Sequence, residues 1–153
     1  MSNNVYLVAN NKFMASPGGM RLMQDMRQLP YLTENANPSQ IFFWFGPAGT
    51  ITPLHYDVLD LVLTQVRGSK HIRLYSPDQK HWLYNSRGVF SDVDVERPDF
   101  DKYPLFRNTE AVEFDLMAGE MLFLPQGHWH QVHSLTPSIS VSFTNFRDHR
   151  NRR

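Results

Sequence analysis

The residues of this sequence that could form a metal site are histidines and a carboxylate. His55 and Asp57 stand two residues apart in an apolar run, and the two-residue period of a β-strand would turn both side chains to the same face. A second group of histidines lies at residues 128–133. Two histidines and one carboxylate on a β scaffold form the facial triad that binds non-haem Fe(II) and leaves coordination positions open. The residue types therefore predict an iron site, although His55 and Asp57 by themselves would more simply form a hydrogen-bonded structural pair.

Three histidines compete to be the third ligand, namely His128, His130 and His133. Strand alternation would place His128 and His130 on one face and His133 on the other. Spacing alone leaves the choice open. The histidines that do not bind the metal would lie on the surface, line the pocket or orient the ligands through hydrogen bonds.

The composition limits the number of domains and the classes of partner. A chain of 153 residues can bury one core of ordinary size, so we expect one domain and one site. Fifteen Lys and Arg residues balance fifteen Asp and Glu residues, so no overall field attracts nucleic acid or an anionic membrane. The absence of Cys excludes disulfides, thiolate metal sites and cysteine nucleophiles. No apolar run approaches the ~20 residues that span a bilayer, and no signal-peptide pattern is present. We therefore expect a cytoplasmic protein that binds no membrane.

Short runs of β-branched and aromatic residues, separated by Gly and Pro, must position these side chains. This pattern of short runs begins at residue 41 and is typical of a β-sandwich or barrel. The turns at 46–49, 67–69 and 118–120 place Gly where a tight connection needs positive φ, and the strands read as consecutive hairpins. The predicted strands are 41–45, 55–59, 61–66, 71–75, 121–124, 129–134 and 138–143.

The domain organisation that follows is a single domain, 1–153. Its N-terminal segment, 1–40, holds a short predicted helix at 20–29, and the barrel core spans 41–146. Within the core, the polar insertion 76–113 forms either a functional lid or rim, or a solvated connection. The basic tail, 147–153, is a solvated terminus, with a nucleic-acid-binding tail as the alternative.

Six blocks of sequence stand in an ordered series. Three of them are Trp-Phe-Gly-Pro-Ala-Gly-Thr-Ile-Thr-Pro-Leu-His-Tyr-Asp at 44–57, Gln-Val-Arg-Gly-Ser-Lys at 65–70 and Ile-Arg-Leu-Tyr-Ser-Pro at 72–77. The others are Asp-Val-Glu-Arg-Pro-Asp at 94–99, Ala-Gly-Glu-Met-Leu-Phe-Leu-Pro at 118–125 and Trp-His-Gln-Val-His-Ser at 129–134. From about residue 6 to residue 146 the chain resembles the JmjC domain of the cupin-like 2-oxoglutarate oxygenases, closest to the small JmjC protein hydroxylases. The resemblance implies an all-β, double-stranded β-helix (a cupin or jelly-roll barrel) with a short N-terminal helical segment.

The resemblance also implies Fe(II), a 2-oxoglutarate co-substrate and the residues that hold them. The third metal ligand of the family directly follows an aromatic residue in the last block, which corresponds to His130. A lysine on the strand after the His-x-Asp strand binds the distal carboxylate of 2-oxoglutarate, and the matching residue is Lys70. Thr52 matches a hydroxyl that shares this carboxylate, and Tyr6 matches a phenol that reaches it from the N-terminal segment. Without the resemblance, Lys70 would be a solvated turn residue and Tyr6 a plain strand aromatic.

The implied activity is a 2-oxoglutarate-dependent hydroxylation of a C–H bond, with a protein or peptide side chain as the substrate and succinate and CO₂ as products. This reaction needs no catalytic residues beyond the metal ligands, because no separate acid or base takes part in it. Trp44, Tyr56 and Trp129 would wall the pocket or belong to the core. The alternatives are hydroxylation of a modified RNA base or a small molecule, and a metal-binding cupin without turnover. One departure favours the last, because Leu61 stands where many relatives carry an Asn close to the co-substrate.

Overall fold

Eight strands form two antiparallel sheets. The structure is a computed structural model that describes residues 5–8, 12–26, 29–33 and 37–146, so the predicted basic tail at 147–153 lies outside the described residues. No helix among the described residues has the length and apolarity to cross a bilayer. The strands are β1 Ile41–Gly46, β2 Ile51–Tyr56, β3 Leu61–Arg67, β4 Ser69–Tyr75, β5 Val112–Met117, β6 Met121–Leu124, β7 Trp129–Ser134 and β8 Ser138–Phe143.

Successive strands alternate between the two sheets, except that β4 and β5 are neighbours in one sheet. One sheet has the order β1-β8-β3-β6, and the other has the order β2-β7-β4-β5. This alternation is that of a jelly-roll, so the predicted all-β, double-stranded β-helix is confirmed. The predicted succession of hairpins is wrong, because β4 and β5 are the only consecutive strands of the described chain that pair with each other. A hairpin pattern and a jelly-roll share the same short strands and turns, and long-range pairing decides between them.

Most predicted strands are confirmed, and two differences concern the region of the site. The strand predicted at 55–59 is wrong, because β2 spans Ile51–Tyr56. The chain turns after Tyr56, where the Asp57 carbonyl accepts a hydrogen bond from Gly127 N (2.9 Å) and Asp60 Oδ1 accepts one from Gln126 N (2.7 Å). Strand β5 (Val112–Met117) was not predicted, and its first two residues belong to the predicted insertion.

The glycine turns are confirmed. Gly49, Gly68 and Gly119 have φ values of 81°, 76° and 93°, a region that residues with a Cβ rarely adopt. Gly68, between β3 and β4, is also confined by space, since a Cβ there would lie 2.3 Å from the carbonyl oxygen of Pro137.

Apolar side chains from both sheets fill the interior of the barrel. They follow the two-residue alternation of their strands, and they lie beside the cavity that contains the candidate site. The buried members are Leu61, Leu63, Ile72, Leu116, Leu124 and Val132.

The insertion packs over the outer face of the β2-β7-β4-β5 sheet. It contains two 3₁₀ helices, Pro77–Trp82 and Pro104–Asn108. A second core seals it against the sheet, so the prediction of a merely solvated connection is wrong. The buried members of this core are Leu54, Tyr75, Leu83, Val93, Phe106 and Trp129.

The N-terminal segment covers the outer face of the other sheet, where Met14 and Leu32 pack with strand residues of β1 and β8. Its helix α1 spans Pro17–Gln24, so the predicted bounds of 20–29 are wrong. The helix begins early because Ser16 caps it, accepting a hydrogen bond from Gly19 N at 3.2 Å, with Pro17 at the first helical position.

Candidate metal centre and co-substrate pocket

One strand pair brings the predicted metal ligands together. His55 on β2 lies directly opposite His130 on β7, and their ring centroids are 4.2 Å apart. Asp57 follows the end of β2, and its Oδ2 lies 3.5 Å from His130 Nε2. The ligand atoms of the three residues all lie within 4.8 Å of one another. A single cation placed between them could therefore contact all three.

Backbone carbonyls orient both imidazoles toward this point. His55 Nδ1 lies 2.8 Å from the Pro53 carbonyl oxygen, and His130 Nδ1 lies 3.1 Å from that of His128. A carbonyl accepts only, so each Nδ1 carries a proton and each Nε2 is the ring nitrogen left to bind a metal. Burial, with a further contribution from the His55 charge, lowers the pKa of His130 to about 3, which keeps this imidazole neutral. Two imidazoles and a carboxylate are the donor set that suits non-haem Fe(II).

The other two histidines of the segment lie outside this cluster. His133 is on the opposite face of β7, where its Nδ1 lies 3.5 Å from Glu96 Oε1. His128 precedes β7 and is not among the clustered ligands. Metal binding by the triad stays a prediction, but among the competing histidines the geometry favours His130.

A cavity of about 620 Å³ joins the triad to the predicted co-substrate residues. Tyr6, Thr52 and Lys70 all line it, as does Leu61. Most of the remaining lining is apolar, which is usual for small-molecule sites that place a few polar groups in a hydrophobic wall.

A β-bulge puts Thr52 on the same side as the metal ligands. Thr52 and His55 are three residues apart, and a regular strand would send them to opposite faces. However, Thr52 pairs with Val132 and His55 with His130, so three steps along β2 match two along β7. The extra residue reverses the alternation. Pro53 lies within this irregular stretch and is tolerated because β2 is an edge strand.

Lys70 is a buried cation inside the barrel. Its side chain points inward from β4 and is 2% exposed, so the alternative of a solvated turn residue is wrong. It lies two strands after β2 along the chain, not one. The ammonium lies 5.9 Å from the ring centroid of Trp44, and no ion pair with it occurs within the described ranges. Burial lowers the pKa of Lys70 to about 8.

Two hydroxyls accompany this ammonium at the cavity. The Tyr6 hydroxyl and Thr52 Oγ1 are 2.7 Å apart, and burial raises the pKa of Tyr6, so its phenol stays protonated. One of the two hydroxyls donates to the other, which leaves one hydroxyl proton and the ammonium to bind a carboxylate through charge-assisted hydrogen bonds. The residues present therefore fit the far end of 2-oxoglutarate. Leu61, 8% exposed, gives this pocket an apolar contact at the position where the resemblance predicts an Asn in many relatives.

The three aromatic residues predicted to wall the pocket divide into two groups. Trp44 lines the cavity, and its Nε1 donates to Ser142 Oγ at 2.9 Å. Tyr56 and Trp129 face outward and pack edge-on, with ring centroids 4.8 Å apart, in the core beneath the insertion. For these two residues the alternative of a core role is confirmed.

Phe90 is a residue of the site that sequence reasoning missed. It belongs to the insertion, yet it forms a β-bridge with His55, and its ring stacks on the His55 ring with centroids 5.5 Å apart. Asn85 Nδ2 donates to the Phe90 carbonyl at 2.7 Å and fixes this turn. The only sequence signal was an aromatic residue within a polar insertion, which does not indicate its distant partner.

Comparisons with known proteins agree with this geometry. The model of the cupin-like domain family matches residues 2–151. The chain is 48% identical over 107 residues to JmjC domain-containing protein D of Dictyostelium discoideum, covering 67% of this chain and 24% of that protein. It is 46% identical over 104 residues to lysine-specific demethylase 8 of Danio rerio, covering 65% of this chain and 26% of that protein.

A more distant relative extends the match along the chain. Identity to tRNA wybutosine-synthesizing protein 5 of Gallus gallus is 35% over 132 residues, which covers 80% of this chain and 41% of that protein. The chain spans about a quarter of the length of the first two relatives. Because the family model covers nearly the whole sequence and the folded strands bring a His-Asp-His cluster together, the chain belongs to the cupin-like (JmjC) domain family, whose members are generally Fe(II)- and 2-oxoglutarate-dependent oxygenases.

Proposed function

We propose that this chain is a 2-oxoglutarate-dependent dioxygenase that hydroxylates a C–H bond of a protein or peptide side chain. The observation that carries the proposal is that the His-Asp-His cluster and the buried Lys70 open into one cavity. A metal cluster alone would fit many cupins. A buried cation with no acidic partner among the described residues favours an anionic ligand, because such a ligand would offset the cost of its desolvation. Bound Fe(II) and 2-oxoglutarate would together activate O₂, which is the oxidant, with succinate and CO₂ as products.

The residues of the chain would bind the metal and the co-substrate and orient them for reaction. His55, Asp57 and His130 hold the metal, with Nε2 of each imidazole directed by a carbonyl behind its Nδ1. Lys70 and its neighbouring hydroxyls hold the distal carboxylate of 2-oxoglutarate. The apolar lining excludes water from the reacting atoms, and Phe90 fixes the ring of His55 by stacking on it.

The names of the relatives support a protein substrate. Three of them are called lysine-specific demethylases, from Danio rerio, Xenopus tropicalis and Arabidopsis thaliana. We propose that a protein side chain enters the cavity beside the insertion and is hydroxylated there.

The test is succinate formation from 2-oxoglutarate by the Fe(II)-loaded chain in the presence of O₂. We expect turnover in the wild type and its loss in Lys70→Ala, with retained Fe(II) binding. The exposed Lys80→Ala is the matched control and should keep the wild-type rate. A folded, iron-loaded sample that forms no succinate, with or without peptide, would show that the chain is a metal-binding cupin without turnover.

A second candidate is hydroxylation of a modified RNA base. The likeness to tRNA wybutosine-synthesizing protein 5 favours it. Incubating bulk tRNA and a mixed peptide digest separately with the loaded chain, followed by mass spectrometry, distinguishes the two. A gain of one oxygen atom in a nucleoside, and not in any peptide, would show that the substrate is an RNA base.

A further inference from the structure

Asp57 is the one predicted metal ligand that lies outside a strand. His55 belongs to β2 and His130 to β7, so the register between these two strands fixes the backbone of both. The Asp57 side chain is 38% exposed, and its Oδ2 approaches His130 Nε2 only to 3.5 Å, which is too long for a strong hydrogen bond. The position of this ligand therefore depends on the turn that carries it.

The β2–β3 turn (residues 57–60) is held by little packing. Val58 and Leu59 in its middle are 59% and 57% exposed, and Asp60 is exposed as well. A segment with few buried apolar contacts opens at a low cost in free energy unless other bonds restrain it. Hydrogen bonds therefore supply most of the restraint on Asp57.

Two neighbouring amides of the β6–β7 turn (residues 125–128) donate these hydrogen bonds. Gly127 N donates to the Asp57 carbonyl at 2.9 Å, and Gln126 N donates to Asp60 Oδ1 at 2.7 Å. A side chain accepts the second bond, and its short distance is typical of a bond to a charged carboxylate. The two bonds tie both ends of the β2–β3 turn to the segment that leads into β7.

The β6–β7 turn also orients the histidine ligand of β7. His128 N donates to the Pro125 carbonyl at 3.2 Å, and the His128 carbonyl accepts the bond from His130 Nδ1 at 3.1 Å. The carboxylate of Asp60 therefore links the turn that orients His130 to the turn that carries Asp57.

We infer, resting on the metal binding of the proposed function, that Asp60 is a positioning residue of the metal centre. By holding the Gln126 amide, its carboxylate keeps Asp57 close to the two histidine ligands. Asp60 does not line the cavity and is not among the clustered ligands, so it acts through the backbone and touches neither metal nor substrate. Removal of its acceptor oxygen frees the turn and weakens metal binding while the fold persists.

The test measures metal affinity without turnover. Co(II) is titrated anaerobically into the full chain, and its visible absorption reports the ligands that surround it. Asp60→Ala should weaken Co(II) binding about 10–100-fold, the usual effect of losing a group that orients a metal ligand, and should change the visible bands because a carboxylate donor is displaced. Asp60→Asn keeps an acceptor oxygen at the same place and should largely restore both the affinity and the spectrum.

Asp99→Ala is the matched control. Asp99 is an exposed carboxylate of the insertion whose Oδ1 also accepts from backbone amides, those of Asp101 at 3.1 Å and Lys102 at 3.0 Å. It does not line the cavity. This variant should lose about as much stability in urea unfolding as Asp60→Ala, yet bind Co(II) like the wild type. A loss of Co(II) affinity in both variants would overturn the inference, because it would show a general effect of a looser fold.

Asp60→Leu, which has nearly the shape of Asp60 but no acceptor, repeats the test if the alanine variant does not fold. Wild-type Co(II) affinity in a folded Ala or Leu variant would overturn the inference. Equal losses in Asp60→Asn and Asp60→Ala would also overturn it, since the retained acceptor would then make no difference.

Failure of the proposed function gives a different result. A chain that shows this pattern of Co(II) affinities, but forms no succinate when it is loaded with Fe(II), contradicts the oxygenase and leaves the role of Asp60 in place. A wild type that binds no Co(II) would overturn both.

Discussion

The polar side chains of strand β7 lie on two faces. One face contributes to the candidate metal site, and the other contacts the insertion. His130 points into the cavity, opposite His55. Gln131 and His133 point outward, where Gln131 Nε2 donates to Glu96 Oε1 at 2.8 Å. The same alternation that supplies a metal ligand therefore also anchors the insertion, and substitutions on the two faces should have separable effects.

His130→Ala should abolish Fe(II) binding, because it removes one of the three donor atoms. We expect a loss of affinity of at least about 100-fold, beyond what changes to supporting residues usually cause. His133→Ala, on the other face of the same strand, is the control and should largely retain the metal. Metal content after dialysis and titration with Fe(II) under anaerobic conditions measure both. Similar losses for His130→Ala and His128→Ala would contradict the ligand assignment.

Leu61→Asn should tighten 2-oxoglutarate binding. Leu61 lines the cavity that Lys70 enters, and an amide there would restore the polar contact that many relatives have. We expect a lower KM for 2-oxoglutarate together with a small loss of stability, since a buried leucine is replaced. Val62→Asn is the matched control, as Val62 is a buried residue of the same strand that does not line the cavity. It should lose stability without gaining affinity, and an equal gain in both variants would argue against a specific contact.

At the scale of elements, β2 shows what sequence alone could and could not predict. The two-residue spacing of His55 and Asp57 was enough to predict that they share a face. The start and end of the strand were wrong, because the turn after Tyr56 is fixed by bonds from Gly127 and Gln126, which are distant in sequence. The bulge that aligns Thr52 with His55 depends on pairing with β7, so only the resemblance, and no local pattern, indicated Thr52.

Glu96 connects the insertion to the sheet that holds His130. Its Oε1 accepts bonds from Arg73 Nη1 at 2.5 Å and Gln131 Nε2 at 2.8 Å. Glu96→Ala should destabilise the fold by about 1–3 kcal/mol, because it leaves the buried Gln131 Nε2 without its acceptor. It also removes one carboxylate partner of Arg73, whose Nη1 keeps its bond to Gln131 Oε1. Glu110→Ala is the control, since Glu110 is exposed in the same insertion and its carboxylate forms no ion pair within the described residues. Urea unfolding of both variants measures the difference.

The same contact gives a pH dependence. Desolvation raises the pKa of Glu96, but the bonds from Gln131 and Arg73 outweigh it, and the net shift is downward from 4.5. The folded pKa is below the unfolded one, so this stabilisation is present above pH 4.5 and is lost as the pH falls through the folded pKa. The Glu96→Ala variant should therefore lose less stability than the wild type on acidification below pH 4.5. Parallel acid unfolding curves for the two proteins would contradict this role.

At the scale of the whole molecule, the pocket is assembled from parts that are far apart in the chain. Tyr6 comes from the N-terminal segment, Thr52 from β2, Lys70 from β4 and Phe90 from the insertion. The composition and the pattern of short apolar runs predicted a β-barrel, and the family resemblance predicted which residues would lie together in the pocket. Neither could place Phe90 against His55, since that contact depends on how a packed insertion returns to the mouth.

The burial of Lys70 couples the stability of the whole fold to its proposed co-substrate. The shift of its pKa from 10.5 to about 8 corresponds to about 3 kcal/mol of destabilisation at neutral pH. Lys70→Met should therefore raise the free energy of unfolding of the ligand-free protein by up to this amount. It should also abolish the stabilisation that 2-oxoglutarate gives the wild type, which is about 2.7 kcal/mol at a ligand concentration of 100 times Kd.

The pH dependence separates this explanation from simple repacking. The folded pKa of Lys70 lies below the unfolded value, so between about pH 8 and pH 10.5 the unfolded chain binds more protons, and wild-type stability receives a positive contribution that grows with pH. Below pH 8 both states are protonated and the full penalty remains. The advantage of Lys70→Met over the wild type in urea unfolding should thus be largest near pH 7 and shrink toward pH 10. The exposed Lys80→Met should show no such trend, and an advantage of Lys70→Met that is constant with pH would mean that better packing, not the removal of a buried charge, stabilises the variant.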